Sequence, residues 1–600
     1  MTAFTTRPEL AGTFGAVAST HWLASQSGMA VLELGGNAFD AAVAAGFVLQ
    51  VVEPHLNGPG GEVPILIATT GSEQATVLCG QGVAPAAAGV DAFEHLGLDL
   101  VPGTGLLAAT VPGAVGAWLT LLRDHGTLPL ATVLRYAIGY AGAGHPLVGS
   151  AARTIAAVAD HFRAHWPTSA ATWLDPDGHA PEPGRLFRNP TLAATYQALV
   201  DAGQGLPREA AIDAAIDAWY NGFVAGAIDA WCRTPVRDDS GRDHAGLLTG
   251  DDLARWTPTY EQPATTDWRG WTVAKAGAWS QGPSFLQALR ILDGAAADTL
   301  DGDLVHTAVE TVKLAMADRE AWYGDVADVP LATLLSTAYA NVRRERIGDH
   351  ASLELRPGSP DGRTPRLPRH VTDPSTVERG TTAGVGEPTV ARVGEQVTQP
   401  DGTTRGDTCH LDVADRFGNI VSATPSGGWL QSSPVIPDLG FALGTRAQMF
   451  WLDRGLPNSI APGKRPRTTL TPTLARHHDT GRWLAFGTPG GDQQEQWQLC
   501  FWLAHTARGL DLQAAIDAPT WHTTAFPSSF YPRETNVGEV VVESRVGTEV
   551  IAELRRRGHT VVVTDPWSLG RLSAVSTDPG TGLIRAAANA RGMQGYAVAR

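Results

Sequence analysis

The chain has 600 residues, 43% hydrophobic and 18% charged, which is the make-up of a globular protein long enough for one large layered domain or several. Its formal net charge of −16 argues against nucleic-acid and anionic-membrane partners, and no apolar run is long enough for a membrane span. Cys79, Cys232, Cys409 and Cys500 are scattered without CxxC spacing, and the first twenty residues lack a signal-peptide pattern, so the expectation is a cytoplasmic protein with reduced thiols, no metal and no cofactor.

In chain order, "GGNAFDAAVAAGFVLQVVEP" (35–54) reads as a helix of small residues that packs closely on a sheet and stops at Pro54. A glycine turn and a strand over Val63 to Ala68 follow. Residues 111–130 form an amphipathic helix with Gly126 as its stop. In "LLTGDDLARW", Thr249 is an N-cap with Asp252 three residues on. Val305, Val309, Val312 and Met316 mark a helix within 303–325. From 357 to 407 the chain is rich in Pro, Gly, Thr and Arg without apolar periodicity, a long loop or tether. Beyond it the pattern turns to strands: "CHLDVAD", "NIVSAT", "WLAFGTPGG", "EVVVES" and "TVVVTD".

The change of regime falls at Asp407–Thr408. A strand pattern begins at Thr408, turns at residues 415–419 and resumes from Ile420 to Thr424. A threonine hydroxyl is a weak nucleophile, and an adjacent amine is one way to activate it. A free α-amino group, with a pKa of about 7.7–8, accepts the hydroxyl proton at neutral pH. Thr408 owns such an amine only if the Asp407–Thr408 bond is cut. The plain alternative is a strand-start threonine after a surface loop.

"GGNAFDAAVAAGFVLQVVEPHLNGPGGEV", "TVPGAVGAW", "GTLPLATVLRYAIGYA", "LTGDDLARW", "HTAVETVKLAMADREAWYGD", "DTCHLDVADRFGNIVSATPS", "GKRPRTTLTPTL" and "GTPGGDQQEQ" occur in that order. Together they resemble the gamma-glutamyltranspeptidase family of N-terminal nucleophile hydrolases, over about residues 12–598. The resemblance implies an α/β fold, a four-layer αββα sandwich built jointly by two subunits cut from one chain: 1–407, helix-rich with a flexible tail, and 408–600, strand-rich, together a heterodimer. It implies Thr408 as nucleophile, Ser426 as its supporting hydroxyl, and Gly490 and Gly491 as backbone donors to the oxyanion. Thr468 and Thr469 fall where the family has a Ser-Ser pair in its substrate site.

Three family positions for a free glutamyl group have changed. The carboxylate-binding Arg is Gln81, an Asn is Gly428, and the acidic partner of the amine is Met449. A carboxylate without its Arg and an ammonium without its acid lose charge-assisted contacts, which argues against γ-glutamyl specificity. Arg446 stands where the glutathione enzymes carry Gln, and is a candidate anchor for an acidic acyl group. Its structural alternative is an ion pair with Asp453 or another carboxylate. A shortened segment from Phe450 to Lys464 suggests an open pocket. The pattern resembles a divergent branch that includes oxamate amidohydrolases and the oxalyl-removing C–C hydrolases of antibiotic biosynthesis. The expected function is therefore hydrolysis of an amide with a small acidic acyl group. The alternatives are C–C hydrolysis of an oxalyl-type group and an uncleaved, inactive binding protein. His306 and Glu310 share a helix face without a third ligand, and Ser284 in "SQGPSF" lacks a nucleophile elbow, so neither carries a site.

Overall fold

A computed structural model describes residues 4–372, 408–591 and 595–600. Asp407 and most of the expected tether lie outside the described residues. Two seven-stranded, wholly antiparallel sheets face each other. The first runs in the order 596–599, 15–19, 411–415, 420–423, 63–68, 76–80 and 259–261. The second runs 10–12, 583–588, 573–578, 483–487, 473–477, 271–275 and 264–268. Both sheets mix strands from before and after Thr408.

Small side chains line the space between the sheets. Ala16, Ala18 and Ala414 meet Ala274, Ala485 and Ala586 in one buried cluster, with Leu66 and Leu474 filling between them. On the outer face of the first sheet lie the helices Trp22–Glu33, Ala38–Val52 and Ala114–His125. On that of the second lie Gly282–Leu292, Gly302–Trp322 and Gln494–Thr506. The result is the four-layer αββα sandwich.

The helix Ala38–Val52 is buried along its whole length. Its small residues are required: a Cβ on Gly46 would stand 2.6 Å from the Trp118 ring. Asn37 and Asp40 close a capping box at its start. The strand Val63–Ala68, the Gly126 stop after Ala114–His125 and the Thr249/Asp252 capping box all fall where the sequence places them. "EVVVES" and "TVVVTD" are strands too, but they form a separate three-stranded sheet with Trp521–Thr523. Among the described residues, no helix is long and apolar enough to cross a membrane.

Candidate active site

The hairpin of Leu411–Asp415 and Ile420–Ala423 occupies the middle of the first sheet, and the residues flanking it build the site. Thr408 makes one antiparallel bridge to Ser426. Regular strand starts only at Leu411, later than the sequence pattern suggests. Pro425, opposite Cys409, has no N–H to continue the ladder; its carbonyl accepts from the Cys409 N–H at 2.9 Å. On its other side Ser426 is tied to Glu62, donating its N–H to Glu62 O at 3.0 Å and accepting from Glu62 N at 2.8 Å. The Thr408 and Ser426 hydroxyl oxygens lie 3.2 Å apart, and both residues are fully buried. The open pocket expected from the short Phe450–Lys464 segment is therefore not seen at Thr408. That segment folds back on itself, with a bridge from Trp451 to Ser459, and is packed beneath Arg533.

Cys409 is no rival nucleophile. Its thiol lies 3.0 Å from Glu53 Oε2, which also accepts from the Thr20 hydroxyl at 2.5 Å. Burial first, then the Glu53 charge, pushes the thiol well above its ordinary pKa, so it stays protonated at neutral pH. His410 places Nε2 at 3.0 Å from both Asp412 oxygens and Nδ1 at 2.9 Å from Thr424 Oγ1. Asp412 also accepts from Ser422 at 2.8 Å on its own sheet and Ser573 at 2.9 Å on the other, joining the two sheets. Gly487 lies against the His410 ring, where a Cβ would stand 2.4 Å from Cε1. The strand Trp483–Gly487 thus ends beside His410, and the turn 488–491 begins there. Gly490 and Gly491 adopt φ of +123° and +53°, and a side chain at 490 would stand 2.1 Å from the Trp497 ring.

Arg446 is fully buried and forms an ion pair with Glu62, so its carboxylate partner is Glu62 rather than Asp453, which pairs with Arg369 at 2.8 Å. Its guanidinium lies 4.9 Å from the Trp429 ring centroid and 5.8 Å from that of Phe530. Burial raises the Glu62 carboxyl above the usual carboxylate range, while Arg446 pulls it back. Met449 packs with Trp429 and Phe530, its sulfur 3.9 Å from Arg446 Nη1. Gly428, at φ +65°, lies against the Gly60–Gly61 backbone. Thr468 and Thr469 are fully buried; Thr468 N donates to Trp279 O at 3.0 Å and Thr468 O accepts from Gln281 N at 2.9 Å. Gln81 stands apart. It lines a cavity of about 580 Å³ with Cys79, Trp256, Glu261, Asp325 and Arg465, whose walls include none of Thr408, Ser426, Arg446 or Gly490.

The structure thus joins Thr408, Ser426 and Arg446 through Glu62. Glu62, Glu53 and Asp412 escaped the sequence reading. Their signal was available: each is an acid inside a stretch of apolar and small residues, in "GGEV", "VVEP" and "HLDVAD", where burial demands a partner. His306 is spent on His559 and Gly348 O, each at 2.8 Å, and Glu310 on Lys313 at 2.6 Å and Arg356 at 3.0 Å. Ser284 donates to Gln281 O at 2.7 Å in the first turn of its helix. Among the described residues, no group of three or more His, Cys, Asp and Glu could hold a metal ion.

Residues 24–599 match the family model described as Gamma-glutamyltranspeptidase. The oxamate amidohydrolase proenzyme of Klebsiella pneumoniae subsp. pneumoniae is 31% identical over 594 residues, covering 96% of this chain and 97% of the relative. Among solved structures, LmbA2991T421A matches with a TM-score of 0.93 and 60% identity over 100% of both chains. The cephalosporin acylase from Bacillus halodurans matches with a TM-score of 0.80 and 30% identity, over 100% of this chain and 98% of its own.

Proposed function

Because the chain belongs to the gamma-glutamyltranspeptidase family and is an N-terminal nucleophile hydrolase of amidohydrolase and acylase kinship, we propose that it cuts itself between Asp407 and Thr408 and then hydrolyses amides of a small acidic acyl group. The observation that carries this reading is the buried Thr408–Ser426 hydroxyl pair, 3.2 Å apart, at the start of the central hairpin. The naming of the Klebsiella relative as a proenzyme supports the self-cleavage.

In the first step the Thr408 hydroxyl adds to the carbonyl of residue 407, the peptide nitrogen leaves, and an ester joins the two pieces. The departing nitrogen is the free α-amine of Thr408, and one water then hydrolyses the ester, giving a carboxyl on Asp407 and returning the Thr408 hydroxyl. The amine then serves as base. It takes the hydroxyl proton as Oγ1 attacks the substrate carbonyl, and the proton passes to the departing amine. A second water frees the acid and restores Thr408. Backbone N–H groups of Gly490 and Gly491 would receive the oxyanion, a charge that exists only in the transition state. Arg446 would receive the acyl carboxylate through its planar fork, beside the contact it makes with Glu62. A free glutamyl group finds no such reception: Met449 offers its ammonium no acid, Gly428 has no side chain, and Gln81 offers its carboxylate no charge.

Intact-mass analysis and a panel of oxalyl, glutaryl and γ-glutamyl p-nitroanilides, with oxamate alongside, test the reading. Fragments meeting at 407/408 and turnover of the oxalyl or glutaryl compounds at least about 100-fold above γ-glutamyl are expected, the loss from two charge-assisted contacts. Thr408→Ala should abolish both cutting and turnover. A different cut in active enzyme, or efficient γ-glutamyl turnover, would overturn it. Oxalate released only from a C-oxalyl compound would move the reaction to a carbon leaving group.

A further inference from the structure

The glycine turn 490–491 is gripped from the helix layer outside the second sheet. Gln281, the residue before the helix Gly282–Leu292, donates from Nε2 to Gly491 O at 3.0 Å. Its own Oε1 accepts from Arg319 Nη1 at 2.9 Å. Arg319 lies in the helix Gly302–Trp322, is fully buried, and forms an ion pair with Asp492, the residue after Gly491. Asp492 in turn accepts from Ser529 N at 2.7 Å and Ser529 Oγ at 2.6 Å. The Gly490 carbonyl is held locally by Gln493 N at 2.9 Å. Both carbonyls of the glycine pair are thus fixed, one by the chain itself and one by Gln281.

This matters because two successive glycines have the widest backbone freedom available. The Gly490 carbonyl shares its peptide plane with the Gly491 N–H, and the Gly491 carbonyl shares its plane with the Asp492 N–H. Gln493 therefore holds the plane that carries the donor, while Gln281 anchors the next plane and with it the ψ of Gly491 from which that donor plane hangs. A donor helps a developing oxyanion only if it already points there when the charge appears. We propose that Gln281 is a positioning residue for the oxyanion turn, with Arg319 holding the Gln281 carboxamide and Asp492 in a single arrangement. The proposal rests on the reading of Gly490 and Gly491 as oxyanion donors. It also gives residues 281 and 319, on the far side of the expected cut from the glycine turn, a direct part in setting the rate. Gln281 N, bonded to Thr468 O, ties the same device to the threonine pair.

Gln281→Met and Gln281→Glu separate a positioning role from a merely structural one. Met keeps the length and loses both contacts. Glu keeps an acceptor for Arg319 but, ionised beside that guanidinium, no longer donates to Gly491 O. The processed enzymes are assayed with whichever p-nitroanilide of the panel is turned over fastest. Both variants should lose kcat by about 10- to 100-fold with KM within about threefold of wild type, the pattern of a contact used in the transition state. If Gln281→Glu keeps the wild-type kcat, or if either variant changes KM alone, the positioning role is refuted. Gly491→Ala distinguishes the two layers of the argument. Alanine keeps the N–H but disfavours the φ of +53° at 491, so unchanged kcat there shows that the geometry of the turn does not set the rate and removes the positioning role with it. A fall in kcat for Gly491→Ala, with none for Gln281→Met, removes only the positioning role.

Discussion

At the scale of single residues, Glu62 changes what an Arg446 substitution measures. Both side chains are buried and joined, so Arg446→Gln leaves a carboxylate in the core without its cation. Breaking such a pair from one side costs about 3–5 kcal/mol, whereas removing both partners is far milder. Arg446→Gln alone is therefore expected to unfold at lower denaturant and to process poorly for reasons unrelated to substrate. The double variant Glu62→Gln/Arg446→Gln should recover most of that stability, as denaturant midpoints will show. In the double variant, kcat/KM for oxalyl and glutaryl anilides should fall about 10- to 100-fold relative to a neutral acetyl anilide, the worth of one charge-assisted contact. An unchanged ratio would reduce Arg446 to a structural ion pair.

At the scale of elements, the hairpin that follows Thr408 is locked by one carboxylate. Asp415 Oδ1 accepts from Phe417 N at 2.8 Å and Asn419 N at 3.1 Å, closing the turn. Its Oδ2 accepts from Ala38 N at 2.8 Å and Asn419 Nδ2 at 2.8 Å, tying the turn to the first residue of the buried helix. Asp415→Ala should cost about 2–3 kcal/mol, the sum of a lost helix-end contact and orphaned turn donors. The turnover number per processed site should stay within about twofold, because Thr408, the proposed nucleophile, lies at the other end of the hairpin. A fall in kcat without a fall in stability would contradict this. The turn itself was legible, since Asp-Arg-Phe-Gly-Asn supplies the side-chain acceptor and the glycine that a reversal needs. So were the capping box at Thr249 and the strand Val63–Ala68, because their signals lie within a few residues of one another. What stayed hidden was pairing at long range. Glu62 and Arg446 are 384 positions apart, and Gln281 and Gly491 are 210 apart. A carboxylate near in sequence, Asp453, offered itself for Arg446, but topology rather than proximity along the chain chooses the partner.

At the scale of the whole molecule, the proposed cut would sever the chain without dividing the fold. The strands 411–415 and 420–423 lie between 15–19 on one side and 63–68 on the other, so the second piece cannot complete the first sheet alone. The second sheet has the same dependence, with 473–477 paired to 271–275. A separated 408–600 piece would expose unpaired strand edges and the inter-sheet alanine surface, both routes to aggregation. Mature protein should therefore run as two bands on a denaturing gel, 407 residues and the remaining 193 of 600, yet as one particle of 63.2 kDa or a multiple of it under native conditions. The same logic predicts the outcome of expressing the pieces apart. Residues 1–407 and 408–600 made separately should be insoluble. Made together, with Thr408 exposed as the first residue, they should assemble and be active without any self-cleavage, because Thr408 already has its amine. Activity from the co-expressed pieces matching that of the processed chain would show that cutting serves only to free that amine. A 408–600 fragment that folds alone, with a cooperative unfolding transition, would refute the interlocked architecture as the reason the two pieces stay together.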